Sequence, residues 1–331
     1  MLPCLLTKYA KGSLRPRFTY FASLQYSTKP ITKKIWGPKY NYDDLDIYLM
    51  AIPITTKHSY IFSRYSEKAL LGGKPSLEAR IVNKFANLWN RMETSEKSMN
   101  KKIVKVLNKW LTSIPWIETS LKSLPSKKNI NRFTKAEDKP VSHHEIVRSN
   151  IKPDDLKSIP LFYPANLLSM DKIVGQISPD LGLLYRRHKK LLLHDVLLLP
   201  LTIPIILIPI VPNIPGFYLT YRAYCHWKVL LGISHLKYLL ETGNHLVPKE
   251  IQMEDVYKAT SDIQCKDNVK HCIKIGEEPE SLVISEDIVP AICNSFGVPG
   301  LTGNILTAIR QERKRLKEGA PEFPWKDQLD K

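Results

Sequence analysis

Apolar residues near the start of the chain fall in short runs that are typical of strands. Two of these runs, residues 44–54 and 58–66, are rich in Ile and Tyr and are separated by the turn-type sequence "TTK". A later run, "IPLFYP" (Ile159–Pro164), has the same character and predicts a third strand. With the helices expected between them, the strands predict a small α/β unit over residues 44–164.

Between the second and third runs, apolar residues recur at helical spacing. The stretch "KPSLEARIVNKFANLWNRM" predicts a helix that begins near Pro75, and "NKKIVKVLNKWLTSIPW" predicts a second helix that Pro115 ends. From Arg64 to Lys139 there are 17 basic and 7 acidic residues, a net charge of +10. This basic stretch is either a solvated helical face or a surface that lies against anionic headgroups or RNA, and both interpretations stay open.

Residues 126–155 depart from the helical pattern because they are polar, charged and poor in apolar side chains. Such a composition predicts a mobile loop within the α/β unit. The adjacent His143 and His144 lie in this loop, and we expect them to be solvated rather than catalytic.

The most apolar part of the chain is "VLLLPLTIPIILIPIVPNIPGFYLTY" (Val196–Tyr221), with 26 residues, no charged side chain and five prolines. As a helix it would be about 39 Å long, which exceeds the roughly 30 Å hydrocarbon core of a bilayer. An interior proline removes a backbone hydrogen bond, and in a membrane only neighbouring groups can satisfy the freed carbonyl. We therefore predict a proline-broken membrane segment at Leu191–Tyr221, bent at Pro200, Pro204, Pro209, Pro212 and Pro215.

Three arrangements of residues 191–240 are compatible with this pattern. The segment can cross the membrane once and continue as an amphipathic helix, or it can form a proline-bent hairpin that returns to the same face. The third arrangement is a buried, proline-rich core without membrane contact. In either membrane arrangement, the basic cluster Arg186–Lys190 marks the inner, matrix side.

Ionisable residues at the edges of the apolar segment are the candidate functional residues. His194, Asp195 and Arg222 are candidates because charged groups near a membrane interior are costly, although pairing or anchoring at the headgroup boundary is the favoured explanation for them. The five prolines share this candidate role in function or anchoring. A cation pathway needs several oxygen ligands, and Asp195 is the one carboxylate near the segment. A role in ion transport would therefore require an oligomer or other subunits.

The C-terminal region, residues 248–320, is predicted to be helical. Asp287 is expected to cap a first helix with Pro290 in its first turn. A second helix has an apolar face and a basic face, which suit packing on its own domain, a membrane or a partner, with self-packing favoured. The apolar face comprises Leu301, Ile305, Ile309 and Leu316.

The composition predicts a cellular compartment and argues against metal, cofactor and catalytic sites. The net charge is +17 over 331 residues, and the first 42 residues contain eight basic and no acidic residues. This pattern predicts a mitochondrial transit peptide over residues 1–28. Cys265, His271 and Cys272 are possible soft ligands, but zinc sites usually have four ligands in closer pairs. We therefore expect no metal, no cofactor and no catalytic residue.

The motifs taken together resemble a known family. In chain order they are "IYLMAIPIT", "SIPWIETSLKSLP", "IPLFYP", the proline-broken segment with "FYLTYRAYCHWKVLLG", and "FGVPGLTGNILTAIRQ". Over residues 45–311 the chain resembles the fungal mitochondrial K+–H+ exchange-related proteins. The resemblance implies a place in the mitochondrial inner membrane and a link to electroneutral potassium–proton exchange that controls matrix volume. It carries over no catalytic residue. Because the basic cluster marks the matrix side, the soluble parts are expected to face the matrix.

These observations predict an α+β membrane-anchored protein with a small α/β N-terminal unit, a proline-broken transmembrane or hairpin segment, and a helical C-terminal region. The predicted function is that of a component or regulator of potassium–proton exchange, and an enzyme is not expected. Expected partners are inner-membrane lipids and further copies of the chain or other membrane subunits, with potassium and protons as the transported ions. The alternative is a membrane-anchored adaptor that holds a ribosome or another complex through basic faces; DNA is not expected as a partner.

Overall fold

The computed structural model describes residues 42–66, 98–164, 170–206, 214–241, 245–250, 280–296 and 298–320, with residues 69, 87, 93, 94 and 96 as single positions. The strands are β1 Ile47–Pro53, β2 Ser59–Tyr65, β3 Arg132–Phe133, β4 Pro140–Val141, β5 Ile159–Tyr163 and β6 Leu246–Glu250. The α-helices are α1 Ser98–Thr112, α2 Trp116–Lys122, α3 His143–Arg148, α4 Met170–Leu198, α5 Ile203–Ile206, α6 Ile214–Glu241, α7 Val289–Ser295 and α8 Thr302–Glu318. Short 3-10 helices lie at Tyr42–Asp44, Pro153–Asp155, Leu199–Thr202 and Pro299–Leu301.

Four strands form one mixed sheet in the order β2–β1–β5–β6. β1 and β2 are antiparallel and meet through a short turn, whereas β1 with β5 and β5 with β6 are parallel. Parallel neighbours need long crossover connections. The chain between β5 and β6 supplies one of them as the long helices α4 and α6.

Helices cover both faces of this sheet. All seven residues of β1 are buried, and alternate side chains point to opposite faces. Tyr48, Met50 and Ile52 belong to a core formed with α7 and α8, whereas Leu49 and Ala51 belong to a second core formed with α4 and α6. The protein thus has three layers, with the C-terminal helices on one face of the sheet and the α4–α6 pair on the other.

Helix α2 contacts the sheet and both helical layers. The Ser120 hydroxyl donates to the Ile61 carbonyl (2.7 Å) and accepts from the Ile61 amide (2.9 Å). These bonds satisfy backbone groups that edge strand β2 would otherwise leave unpaired. Trp116 stacks on Tyr60 with ring centroids 5.9 Å apart, and its indole Nε1 donates to Glu312 of α8 (2.5 Å).

The remaining face of α2 lies unusually close to α6. A Cβ atom placed on Gly232 of α6 would lie 2.2 Å from the backbone oxygen of Leu121. Only glycine allows this approach without a backbone shift. The absence of a side chain at position 232 therefore fixes the distance between the two helices.

Most of the regular elements predicted from the pattern of apolar residues are confirmed. β1, β2 and β5 occupy the three predicted strand runs, and the chain leaves α1 shortly before Pro115 and enters α2 directly after it. α7 and α8 are the two predicted C-terminal helices, and Ile305 and Ile309 of α8 are buried against the sheet core. The helix predicted to begin near Pro75 lies outside the described residues.

Two local predictions differ from the structure. The first turn of α7 contains Pro290 as expected, but the N-cap is Ile288, with no side-chain cap, rather than Asp287. The predicted mobile loop at residues 126–155 instead contains the β3–β4 hairpin and α3. A capping box between Ser142 and Glu145 starts α3. A small apolar cluster stabilises this segment, and its members are Val141, Ile146 and Leu156.

The predicted membrane-anchored fold class, with a transmembrane or hairpin segment at Leu191–Tyr221, is wrong. None of the helices within the described ranges combines the length and apolar character needed to cross a membrane. The physical reason is that α4 ends at Leu198 and is followed by a 3-10 helix that begins at Leu199 and has Pro200 in its first turn. α6 spaces Arg222, His226, Lys228 and Lys237 along its length. The observed fold is mixed α/β, and the apolar helices cover a sheet.

Replacing Gly232 with alanine tests the contact between α2 and α6. We expect Gly232→Ala to lower the free energy of unfolding by about 1–3 kcal/mol because the new methyl group meets backbone rather than a flexible side chain. The matched control is Gly182→Ala in α4, where a Cβ has no atom within 4 Å. This change should raise stability by about 0.5–1 kcal/mol through helix propensity. Urea denaturation of both variants measures the difference, and equal effects would contradict the proposed close approach.

Candidate functional site

A buried ion pair joins α2 to α6 at the centre of the candidate site. Arg222 Nη1 lies 2.6 Å from Glu118 Oε1, and Arg222 Nη2 lies 3.1 Å from Glu118 Oε2. The two side chains are 13% and 3% exposed, respectively. This two-pronged geometry matches the planar guanidinium to the carboxylate and gives strong, directional hydrogen bonds.

The same guanidinium fixes the protonation of two buried histidines. Arg222 Nη2 lies 3.1 Å from His226 Nε2, one helical turn further along α6. Arginine can only donate, so His226 Nε2 accepts and its proton is on Nδ1. His226 Nδ1 lies 2.8 Å from His188 Nδ1 of α4, which must then accept. Arg222 therefore orders a chain of hydrogen bonds from α6 to α4.

Asp195 of α4 lies beside this chain of hydrogen bonds and contacts two histidines at longer distances. Its Oδ2 is 3.6 Å from His226 Nε2, and its Oδ1 is 3.6 Å from Nδ1 of the exposed His194. Within the described part of the chain, Oδ2 is buried and has no hydrogen-bond partner. Burial raises the pKa of Asp195, although the charge of Arg222 opposes the rise. Asp195 is thus a carboxyl group that can take up a proton beside His226.

Further cations surround these groups. Lys122 of α2 donates to the Cys225 thiol at 3.3 Å, and its ammonium lies 5.7 Å from the centroid of the Tyr221 ring. Arg187, next to His188 on α4, has its pKa lowered to about 10 by burial, with Glu118 opposing the shift. Three basic side chains therefore share the region with Glu118 and Asp195.

This environment keeps the two histidines neutral. The pKa of His188 is lowered to about 4 and that of His226 to about 3, mainly by burial and in part by the charge of Arg222. For Glu118, burial raises the pKa, but the charges of Arg222 and Lys122 outweigh burial and hold it below the usual value. The network consists of one ion pair, two neutral imidazoles and a protonatable carboxyl group. We call Glu118, His188, Asp195, Arg222 and His226 the buried network.

Three members of the buried network also have the residue types of a metal site. Ligand atoms of Glu118, His188 and His226 all lie within 4.8 Å of one another. However, Arg222 already uses both oxygens of Glu118 and Nε2 of His226. A dication would have to displace this guanidinium and would meet two more cationic side chains. The charges therefore suit proton binding better than metal binding.

The structure brings two of the candidate residues named from the sequence into one site. Asp195 and Arg222 both belong to the buried network, whereas His194 is exposed at its rim. Pro200 lies in the first turn of a 3-10 helix, Pro204 is exposed in α5, and Pro215 is exposed in the first turn of α6. The others lie outside the described residues: Pro209, Pro212, Cys265, His271 and Cys272.

Sequence reasoning missed Glu118, His188 and His226 as members of the site. Glu118 lies in "WIETSLK" as an isolated carboxylate on a short helix, and it lies 104 positions from Arg222. One available signal was the spacing of four between Arg222 and His226, which places both side chains on one face of a helix. Nothing comparable links either residue to α2.

Loss of the carboxylate at position 118 should destabilise the fold strongly. Glu118→Gln leaves Arg222 buried without its counter-charge, which costs about 3–5 kcal/mol. The matched control is Asp138→Asn, because Asp138 pairs with Lys157 at 2.6 Å but both side chains are about half exposed. That change should cost less than about 1 kcal/mol. Equal losses in urea denaturation would contradict the importance of the buried pair.

The neutral histidines should make the fold sensitive to acid. An unfolded histidine has a pKa of about 6.5, so the unfolded chain binds more protons than the folded chain as the pH falls below that value. Stability is then fully present above about pH 6.5 and is lost progressively as the pH falls toward the folded pKa values of about 4 for His188 and about 3 for His226. His226→Gln should flatten the decline of unfolding temperature over this range. The exposed His144→Gln should leave the decline of unfolding temperature unchanged. If His226→Gln also leaves this decline unchanged, His226 is not one of the buried neutral histidines that cause it.

Comparison with known proteins gives the site a family context. A family model described as mitochondrial K+–H+ exchange-related matches residues 48–240, a range that contains the whole buried network. The uncharacterized protein YDL183C of Saccharomyces cerevisiae is 34% identical over 305 residues, which cover 89% of this chain and 92% of the relative. The uncharacterized protein C23H3.12c of Schizosaccharomyces pombe is 26% identical over 210 residues, which cover 63% of this chain and 82% of the relative.

No solved structure matches the chain, so the assignment comes from sequence similarity. The family match covers more than half of the chain, and the budding-yeast relative matches over nearly its full length. The chain therefore belongs to the mitochondrial K+–H+ exchange-related family, and its compartment is the mitochondrion.

Proposed function

We propose that this protein is a component or regulator of potassium–proton exchange at the mitochondrial inner membrane and acts in cation and volume homeostasis. The observation that carries the proposal is the buried network of Glu118, Arg222, His226, His188 and Asp195, which lies inside the family match. A protein linked to proton exchange needs groups whose charge changes with proton uptake. The network supplies such groups at the junction of three helices.

The charges of the network support a regulatory role over direct potassium binding. A potassium pathway needs several oxygen ligands. Among the described residues of this site, Glu118 is committed to Arg222, and Lys122 and Arg187 add positive charge. A potassium ion would be repelled from this interior. The chain is therefore proposed to act on an exchanger or within one, and not to carry the cation through this site.

Proton uptake would act on the packing of the helices. The charged and titratable groups that act on His226 are Glu118 from α2, Arg187 and His188 from α4, and Arg222 from α6, and Asp195 Oδ2 lies 3.6 Å from its Nε2. A proton on His226 would remove its acceptor site for Arg222 and place two cations in contact. The contact of α2 with α4 and α6 would weaken, so acidification favours a looser arrangement of these helices.

An adaptor function receives less support. The basic side chains of α8 are largely occupied within the chain, because Arg310 and Arg313 pair with Glu286, and Arg315 pairs with Glu280 and Glu312. The helix buries its apolar face against the sheet core. No observation on α8 favours a ribosome or another complex as its partner.

Potassium-acetate swelling of isolated mitochondria tests the proposed function. Acetic acid carries protons inward, so swelling reports the exchange of matrix protons for external potassium. We expect swelling to slow in mitochondria that lack the protein and to recover with low-dose nigericin, which exchanges the same two ions. Unchanged swelling at matched membrane potential would contradict a role in exchange.

Complementation separates the role of the protein from that of the buried network. Wild-type protein and the exposed control His144→Gln should both restore swelling. Asp195→Asn should restore it with a weaker dependence on pH, because Asp195 is the carboxyl group of the network whose pKa burial raises. If Asp195→Asn and wild-type protein give the same pH profile, the network is not the proton-responsive element, although the role in exchange stands.

A further inference from the structure

A second basic cluster lies toward the C-terminal end of α6 and is separate from the buried network. It surrounds a small cavity of about 10 Å³ beneath the β3–α3 segment, enough room for one water-sized group. His235 and Tyr238 of α6 line the cavity together with Arg132 of β3. The remaining polar lining comes from Lys127 and His143.

Arg132 is the unusual member of this cluster. It is 6% exposed, and no carboxylate pairs with it among the residues that the structure describes. Its guanidinium donates to the Lys157 carbonyl at 2.6 Å and to His245 Nδ1 at 3.3 Å. A guanidinium carries five donors, so donors remain for a ligand. A buried cation without an anion is costly, and the site is therefore one that a negatively charged ligand would stabilise.

The neighbours of Arg132 add positive charge and polar hydrogen-bonding groups. The Lys127 ammonium lies 5.2 Å from the centroid of the Tyr238 ring, and no ion pair to a carboxylate is found for it in the described ranges. His245 accepts from Arg132 through Nδ1, so its Nε2 carries a proton, and this buried N–H has no hydrogen-bond partner within the described chain. The acidic side chain whose charge reaches the cluster is Asp154, which acts on His245.

The hydrogen bonding of His235 indicates which kind of anion can bind in the cavity. Its Nδ1 lies 2.7 Å from the Pro125 carbonyl, so Nδ1 donates and Nε2 of the neutral ring accepts. Burial lowers the pKa of His235 to about 4. A ligand that suits Arg132, Lys127 and His235 together has two kinds of group. Its oxygens accept hydrogen bonds from Arg132 and Lys127, and a hydroxyl donates to the neutral imidazole of His235. A singly protonated phosphate group has both, whereas chloride and a fully ionised sulfate lack the hydroxyl.

We propose that the cavity lined by Lys127, Arg132, His143, His235 and Tyr238 binds a phosphate group. The cavity admits one phosphoryl oxygen, and the rest of the group lies at the mouth, where Lys127 and His143 are partly exposed. Inorganic phosphate and the phosphate of a larger ester present the same group. The proposal does not depend on the role in potassium–proton exchange.

Calorimetric titration of the full-length protein with sodium phosphate, at constant ionic strength in sodium chloride, tests the site. Lys127→Gln should weaken phosphate binding by about tenfold or more, because a charge-assisted hydrogen bond is lost. Arg132→Gln should weaken it further, but Arg132 is buried, so Lys127→Gln is the variant expected to keep the fold. The matched control is Lys135→Gln, which removes the same charge from an exposed position outside the cavity.

Titrations with inorganic phosphate and with glycerol 3-phosphate distinguish a site for free phosphate from a site for a phosphate ester. Binding of inorganic phosphate that is lost in Lys127→Gln and kept in Lys135→Gln supports a free-phosphate site. Binding of glycerol 3-phosphate alone, with the same response to the two variants, supports a phosphate-ester site. The proposal is overturned if neither ligand binds, if sodium sulfate binds as tightly as phosphate, or if both lysine variants weaken binding equally.

Discussion

The buried Glu118–Arg222 ion pair is the contact that holds the sheet and the two helical layers together through α2. α2 has seven residues, too few to be stable as an isolated helix, so its position is set by tertiary contacts. Its ion pair fixes it to α6, the Ser120 hydroxyl fixes it to the edge of β2, and Trp116 fixes it to α8. The close approach at Gly232 leaves no room for these contacts to shift. One short helix therefore couples the sheet to both helical layers.

A second theme of the structure is the use of neutral histidine as an acceptor for buried arginine. Arg222 donates to His226 in the buried network, and Arg132 donates to His245 at the other end of the same layer. In each case the guanidinium needs a partner away from water, and a neutral imidazole supplies a lone pair without adding a second desolvated charge. The two sites differ in what completes them. Glu118 neutralises Arg222, whereas Arg132 has no such carboxylate in the described part of the chain.

Local patterns predicted the elements better than they predicted the arrangement. The runs that became β1, β2 and β5 alternate or carry β-branched residues, and α1 and α8 have clear helical periodicity, so each could be recognised without its neighbours. β6 was missed because its five residues, "LVPKE", carry a proline and two charges. The membrane interpretation failed because a helix that covers a sheet and a helix that crosses a bilayer can have similar apolar content over short windows. Of the site, Asp195 and Arg222 were identified, but Glu118 was not, since only the folded chain brings α2 to α6.

The order of strands has a consequence for how the chain reaches this fold. β1 is a central strand, and the residues that cover one of its faces, such as Ile292, Phe296 and Ile305, come more than 230 positions later. Its parallel neighbour β5 pairs on the other side with β6, which follows helices α4 and α6 in the chain. During synthesis the N-terminal hairpin segment is therefore made long before its cover exists, and Tyr48, Met50 and Ile52 can be buried on that face only after the last helices have been made. Contacts of such sequence separation make folding slow, and the nascent chain has to be protected from aggregation until its C-terminal helices are released.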